Sequence, residues 1–409
     1  MIHLAGFRVQ SDDFTFTEWV SLLTLCLAPL ITHVASGVPQ PSYLIAQRPR
    51  WHDLICLYNP TTIIWRYFAI ADRRIRAMEW DVGDLAASNA IFWTENGWDG
   101  SDKMIDLSKA HCTILPDRTW VSLVSWSTVQ TVIVTLQGAE SLYALFNLRI
   151  YSFHMALDKI FYPLAVLSLL RLWSCVYITD EYSYTLVGGS VYSVEAVAEK
   201  PTTSLPSNST VTSNRITKFH PTASWRSRIF SIFFVLPLIG LVFLSGFYEL
   251  PIITPDIVTT TSSYLVGMFY LLLMTISSLT YSWYFLRGWT GTTIIPCIST
   301  TWYKIYSVLL MVYLVLLLVL SGMETRKTPC GIYTTWAAST GVDFALCPNL
   351  TIGGNLGFDL KFALPDYKDN NSQSPSSFVM VNYTGYCIGE LVWAEAILAQ
   401  NCSIIGLGD

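Results

Sequence analysis

KIYSVLLMVYLVLLLVLSGM, residues 304–323, is the stretch that decides the fold. After Lys304 it carries no charged residue. At about 1.5 Å per residue, a helix of this length crosses a hydrocarbon core roughly 30 Å thick. In lipid every backbone N–H and C=O must find its partner within the segment, so a helix is the only open-chain solution. Whatever precedes this stretch and whatever follows it are therefore expected on opposite sides of a membrane.

Working upstream, five further apolar segments fall at residues 19–37, 119–139, 160–179, 229–248 and 264–286. With 304–323 they predict an all-α polytopic domain of six spans over residues 19–323. Pro29 and Pro237 are expected to bend the first and fourth spans. The composition agrees: 52% of residues are hydrophobic and 13% charged, against about 25% charged in soluble domains. Mean hydropathy is +0.43. A net charge of −5 argues against nucleic-acid binding. The leader, residues 1–18, has no basic n-region followed by an apolar h-region, so it is expected to be an exposed N-terminus and not a cleaved signal.

Charge orients the spans. Loops 38–118 and 180–228 and the short turn before Lys304 hold sixteen Lys and Arg; the opposite segments hold seven. The positive-inside rule places the basic loops in the cytoplasm and both termini outside. Residues 324–409 carry sequons at Asn349, Asn370, Asn382 and Asn401 and four cysteines, Cys330, Cys347, Cys387 and Cys402. This tail is expected to be a small exoplasmic α+β module, glycosylated and cross-linked by two disulfides. FDLKFAL and SSFVMVNYT alternate like half-buried strands, and GELVWAEAILAQ reads as a terminal helix. The sequon at Asn208, in the Pro/Ser/Thr-rich centre of loop 180–228, is expected to go unused.

Loop 38–118 contains YNPTTIIWRYFAIADRRIRAMEW. Asn59 suits an N-cap and Pro60 the first helical position. Apolar residues fall on one face; Arg66, Arg73 and Arg76 lie largely on the other, with Arg74 at its border. Two readings follow: an in-plane helix on anionic inner-leaflet lipids, or a helix packing its apolar face on the rest of the protein. The same stretch, with the following Trp80 and AASNAIFW, resembles uncharacterised multi-spanning membrane proteins of filamentous fungi. The resemblance implies a multi-pass membrane protein and no activity.

Chemistry is sparse. There is no phosphate-binding GxxxxGK[ST] loop and no HExxH pair, and the six histidines are scattered. No metal or cofactor is expected, and Asp99, Asp102 and Asp106 read as a solvated acidic loop. Three features remain. Ser125, Thr128, Thr131 and Thr135 share one face of the second span, as the lining of a polar path or as hydrogen-bonding glue between helices, with glue favoured. Arg171 is the only formal charge inside an expected span, with no intramembrane carboxylate to pair it; snorkelling or carbonyl contacts are expected. His154 and Asp158, at i and i+4, could set a base against a carboxylate, as in several acyltransferases. The leading expectation is a non-catalytic surface or secretory-pathway protein whose exoplasmic module binds or organises a ligand or protein. A channel or facilitator using the second span and an acyltransferase-like enzyme using His154 and Asp158 are the alternatives.

Overall fold

The computed structural model describes residues 3–11, 14–146, 156–184, 218–249, 258–328 and 332–337, and four strands between residues 361 and 397. It is mostly helical. Helix α1, Phe16–Gly37, starts at a capping box in which Thr15 N donates to the Glu18 carboxylate at 3.0 Å and Glu18 N donates to Thr15 Oγ1. Two short helices follow, α2 (Trp51–Ile55) and the longer α3 (Pro60–Arg76). Asn59 caps α3 by accepting from Thr61 N, and Pro60 sits where its missing N–H costs nothing. α4 (Val82–Asn89) and α5 (Asp102–Lys109) flank a three-stranded sheet. Its central strand, Ile91–Thr94, runs parallel to Pro41–Tyr43 and antiparallel to Gly97–Asp99. Gly97, at φ 97°, makes the tight hairpin turn that a side chain would strain.

Five long rods complete the bundle: α6 (Trp126–Phe146), α7 (Ala156–Ser168, continued by the 3-10 segment Leu169–Trp173), α8 (Trp225–Glu249), α9 (Thr261–Arg287) and α10 (Thr301–Glu324). α1, α8, α9 and α10 are long and apolar enough to cross a membrane. With α1, the rods alternate in direction. At the leader end, Gln10 N donates to Met323 O (2.9 Å), His3–Ala5 pairs in parallel with Val258–Thr260, and Ser262 N donates to the Glu324 carboxylate (2.9 Å). The start of α1, the start of α9 and the end of α10 thus meet. At the loop end lie the end of α1, the start of α6, the 3-10 segment, the start of α8 and the end of α9, together with α3 and the sheet.

Two expected spans shift. The helix expected over 119–139 begins only at Trp126 and continues to Phe146. The residues before it form bends and a turn, with Val121 N donating to Val176 O (2.8 Å). The helix expected over 160–179 starts at Ala156 and stops at Trp173. The carbonyl of Ile178 is instead taken by Ser127 Oγ (2.5 Å), so the last residues bridge to α6. In the tail, strands Lys361–Ala363 and Ser377–Val381 fall where alternation places them, but the expected terminal helix is absent. Cys387–Val392 and Glu395–Ile397 are antiparallel strands closing a four-stranded sheet, with Phe378 opposite Leu391. A ready ladder overrides a helical composition. Cys330, Cys347, Cys402 and the sequons at Asn349, Asn370, Asn382 and Asn401 lie outside the described residues, as does the side chain of Cys387. Among the described residues Cys56, Cys112, Cys175 and Cys297 are free thiols and there is no disulfide.

α3 is the hub. Fifteen of its seventeen residues are buried. Trp65 and Phe68 enter an aromatic cluster in which Phe68 meets Phe285 at 4.5 Å and stacks on Phe230 at 5.5 Å. Such pairs contribute about 0.5–1.5 kcal/mol each beyond the area they bury. The reading of α3 as a lipid-facing basic helix is thereby corrected: Arg66, Arg73 and Arg76 are buried, and only Arg74 is partly open.

Candidate functional site

Among the described residues five arginines are buried, Arg66, Arg73, Arg76, Arg171 and Arg326. Arg326 donates from Nε to Trp336 O (2.6 Å), and α3 positions three of the other four. Arg73 and Arg76, one turn apart near its C-terminus, converge on Asp102 at the start of α5. Arg73 Nε reaches Asp102 Oδ1 at 3.0 Å and Arg76 Nη1 reaches Oδ2 at 3.0 Å. Arg76 Nε also pairs with Asp72 Oδ2 at 2.8 Å, and Ser227 Oγ of α8 donates to Asp72 Oδ1 at 2.5 Å. Arg73 Nη2 donates to Gly100 O (2.6 Å) and Arg76 Nη1 to His220 O (3.3 Å). Two cations meet two carboxylates, so the cluster is formally neutral. It ties α3 to the sheet hairpin, to the chain before α8 and to α8 itself. Asp102 is therefore a part-open ion-pair partner at the start of α5 and not the freely solvated loop residue expected. Among the described residues no group of His, Cys, Asp and Glu is arranged to hold a metal ion.

Arg66 and Arg171 are compensated differently. Arg66 Nη1 donates to Gly37 O at 2.9 Å, and its Nη2 to Asn89 O at 3.0 Å and Asn89 Oδ1 at 3.2 Å. Arg171, 1% exposed, donates from Nε to Thr131 Oγ1 (2.8 Å), from Nη2 to Ser127 Oγ (3.2 Å) and from Nη1 to the carbonyl of Ser36. Among the described residues neither guanidinium has a carboxylate at ion-pair distance. Asp180 acts on Arg66 electrostatically from beyond it. Ser36 and Gly37 end α1, where helix carbonyls lack intrahelical partners and the macrodipole is negative. Two arginines from two other elements thus close that end.

Of the two expectations for Arg171, snorkelling is corrected, because the guanidinium is buried inside the bundle, and the carbonyl of Ser36 accepts from it. The polar face of the second span is also used locally. Thr131 accepts from Arg171 while donating to Ser127 O (2.8 Å). Thr135 donates to Thr131 O (2.7 Å), Thr128 to Ser122 O (2.8 Å), and Ser125 and Thr128 share a hydrogen bond at 3.0 Å. Ser127 was not singled out by sequence, yet it bonds both Ile178 O and Arg171.

Beside Arg171 lie polar groups that the sequence did not flag. His33 is buried, and neither ring nitrogen has a hydrogen-bond partner among the described residues. The Tyr67 hydroxyl is likewise buried and unpartnered, and the Arg171 guanidinium lies 5.9 Å from its ring centroid. A Cβ on Gly37 would approach that hydroxyl to 3.0 Å and Ile63 more closely still, so α3 meets α1 only because residue 37 is glycine.

A third cluster is made of hydroxyls. At the N-terminus of α3, Thr61 Oγ1 meets Ser277 Oγ (2.7 Å), Thr62 Oγ1 meets Tyr303 OH (2.6 Å), and Asn59 Nδ2 donates to Ser307 Oγ (2.9 Å). Tyr281 OH donates to Thr61 O. These bonds stitch α3 to α9 and α10. His154 lies outside the described residues, and Asp158 is within α7 with its side chain undescribed. No protein-family model, no curated protein and no solved structure matches this chain.

Proposed function

We propose that this chain is a six-span membrane protein whose bundle is a frame and not a conduit or a catalyst. In this reading both termini are exoplasmic, at the plasma membrane or in the secretory pathway. The frame holds a cytoplasmic unit, built on the sheet and α3 to α5, in register with an exoplasmic tail that binds or organises an extracellular ligand or protein. Two disulfides among Cys330, Cys347, Cys387 and Cys402, and N-glycans on the tail, belong to this reading. The observation that carries it is the use of polar groups on α6. Thr131 and Ser127 engage Arg171, and Thr128 and Thr135 bond back to their own chain. Each such interhelical contact contributes roughly 0.6–2 kcal/mol in a membrane. Groups so engaged support a packing role over a water-lined path.

The test is ion and small-solute flux through vesicles reconstituted with the full chain. The expected flux equals that of empty vesicles; flux above it that falls in Thr131→Val restores the conduit. Threading is checked by thiol labelling of intact and permeabilised cells. Cys56 is fully buried, so Cys112, partly open, is the informative probe. Burial pushes the Cys112 thiol above its ordinary value, so labelling is slow at neutral pH and needs a mildly alkaline medium. Cys112 is expected to react only after permeabilisation.

A further inference from the structure

We propose that the adjoining loop ends of α8 and α9 form a binding site for the headgroup of an anionic phospholipid. This rests on the reading that these helices cross a membrane. Two helix ends meet there: a Cβ on Gly288, just past α9, would lie 3.5 Å from Thr222 Oγ1, just before α8. Arg226 and Arg228 in the first turns of α8 and Arg287 in the last turn of α9 are all exposed. Among the described residues none of the three has a carboxylate at ion-pair distance. Two of them lie over aromatic rings instead. The Arg287 guanidinium lies 4.1 Å from the Trp283 ring centroid and 5.3 Å from that of Trp289; Arg226 lies 5.7 Å from that of Trp225.

Position and chemistry point to one occupant. Trp225, 69% exposed, with Trp283 and Trp289, stands at the terminus of a membrane-length helix, the depth at which indole rings favour the headgroup layer. Leu286, 86% exposed beside Arg287, offers an apolar contact that a free anion does not need and an acyl chain does. Arg287 at a helix C-terminus has a local reason to be cationic. Arg226 and Arg228 do not: cations in the first turn oppose the helix dipole, a modest cost that a bound anion offsets. No acidic residue occurs in residues 218–229 or 286–300 to do it. A lipid phosphate supplies the charge, and the guanidiniums of Arg226 and Arg287, lying over indole rings, leave N–H groups for its oxygens. The lipid-facing basic surface expected of α3 is thus provided by α8 and α9.

The full chain, first shown to resist alkaline carbonate extraction, is purified in detergent and its retained lipids are counted by native mass spectrometry. Phosphatidylglycerol is titrated against phosphatidylcholine. Preferential retention of phosphatidylglycerol is expected. It should fall on the order of a hundredfold in R226Q/R228Q/R287Q, since three basic residues each contribute about fivefold at an anionic surface. R118Q, an exposed arginine elsewhere at the loop end, should leave it unchanged. The preference of the unmodified protein should also collapse as salt is raised, a readout that does not depend on a variant folding. Equal retention of the two lipids, an equal loss in R118Q, or equal competition by soluble glycerol 3-phosphate overturns the proposal. Extraction by carbonate would instead overturn the membrane reading beneath it.

Discussion

Arg73 and Arg76 share one helix with Arg66, yet the last turns and the middle of α3 solve burial in different ways. Near the C-terminus two guanidiniums share Asp72 and Asp102, and charge cancels charge. Mid-helix, Arg66 joins Arg171 at the end of α1, where carbonyls and hydroxyls take the place of carboxylates. The first arrangement depends on single residues, because removing one partner leaves an uncompensated buried charge. The second spreads compensation over several dipoles, so no one acceptor is indispensable. Removing an arginine there removes the charge together with its cost.

The largest expected effect is Asp102→Ala, which leaves Arg73 short of its carboxylate and Arg76 with only Asp72. Loss of one partner of a buried pair costs about 3–5 kcal/mol; the Asp102 side chain is 31% exposed, so the effect is expected at the lower end. Thermal unfolding of the full chain in detergent should show it, and a loss under 1 kcal/mol would mean that solvent reaches the cluster. Arg171→Ala comes next, at about 1.5–3 kcal/mol for hydrogen bonds from a charged donor. Arg171→Met should recover part of that by filling the space without a charge. A Met variant less stable than Asp102→Ala would break the comparison.

A smaller effect is expected outside the membrane helices. Burial alone would raise the Asp81 carboxyl, but Lys109 and Lys218, at 2.9 and 3.2 Å, hold it well below the usual carboxylate range. A depressed carboxylate contributes stability above its unfolded value of about 4, and the contribution is lost as pH falls through the folded value. Lys109, raised by the same pairing against its own burial, contributes below about 10.4 and loses this in stronger alkali. The pair is half open, so screening keeps the effect small. Asp81→Asn should lower Tm slightly at pH 6, and the gap to the unmodified protein should shrink toward pH 3. A gap constant over that range would show that the carboxylate contributes nothing by its charge.

The smallest effect is expected for Tyr67→Phe. The hydroxyl is buried without a partner, so removing it relieves a desolvation cost and breaks no bond. Stability should stay within about 0.5 kcal/mol or rise. A drop of more than 1 kcal/mol would reveal a partner for that hydroxyl, and with it a different role for the group around His33.

Much of the membrane domain could be read from composition and periodicity. The helices around residues 19–37, 229–248, 264–286 and 304–323 appear within a few residues of expectation. Asn59 and Pro60 open α3 where capping chemistry puts them. These features are local: apolar runs, caps and prolines act over a few residues, and one chain carries the whole signal. Packing of α3 on the rest of the protein was one of the two readings its pattern allows; burial of its arginine face was not legible. Arg66 needs Gly37 and Asn89, and Arg73 and Arg76 need Asp102, partners 23 to 29 residues away in sequence. Taken alone, an amphipathic pattern with arginines on its polar face looks the same whether that face meets lipid phosphate or buried carbonyls. The tail shows the same limit, since GELVWAEAILAQ has a helical composition, yet its described residues 389–392 and 395–397 are strand where a neighbouring strand offers its ladder. The sequence by itself determined that four apolar rods are long enough to cross a membrane and where they run to within a few residues, because transfer of backbone and side chains into hydrocarbon depends on the segment alone. Only the tertiary structure decided which arginines are buried and which face outward, because the cost of burying a charge depends on distant groups brought to it by folding.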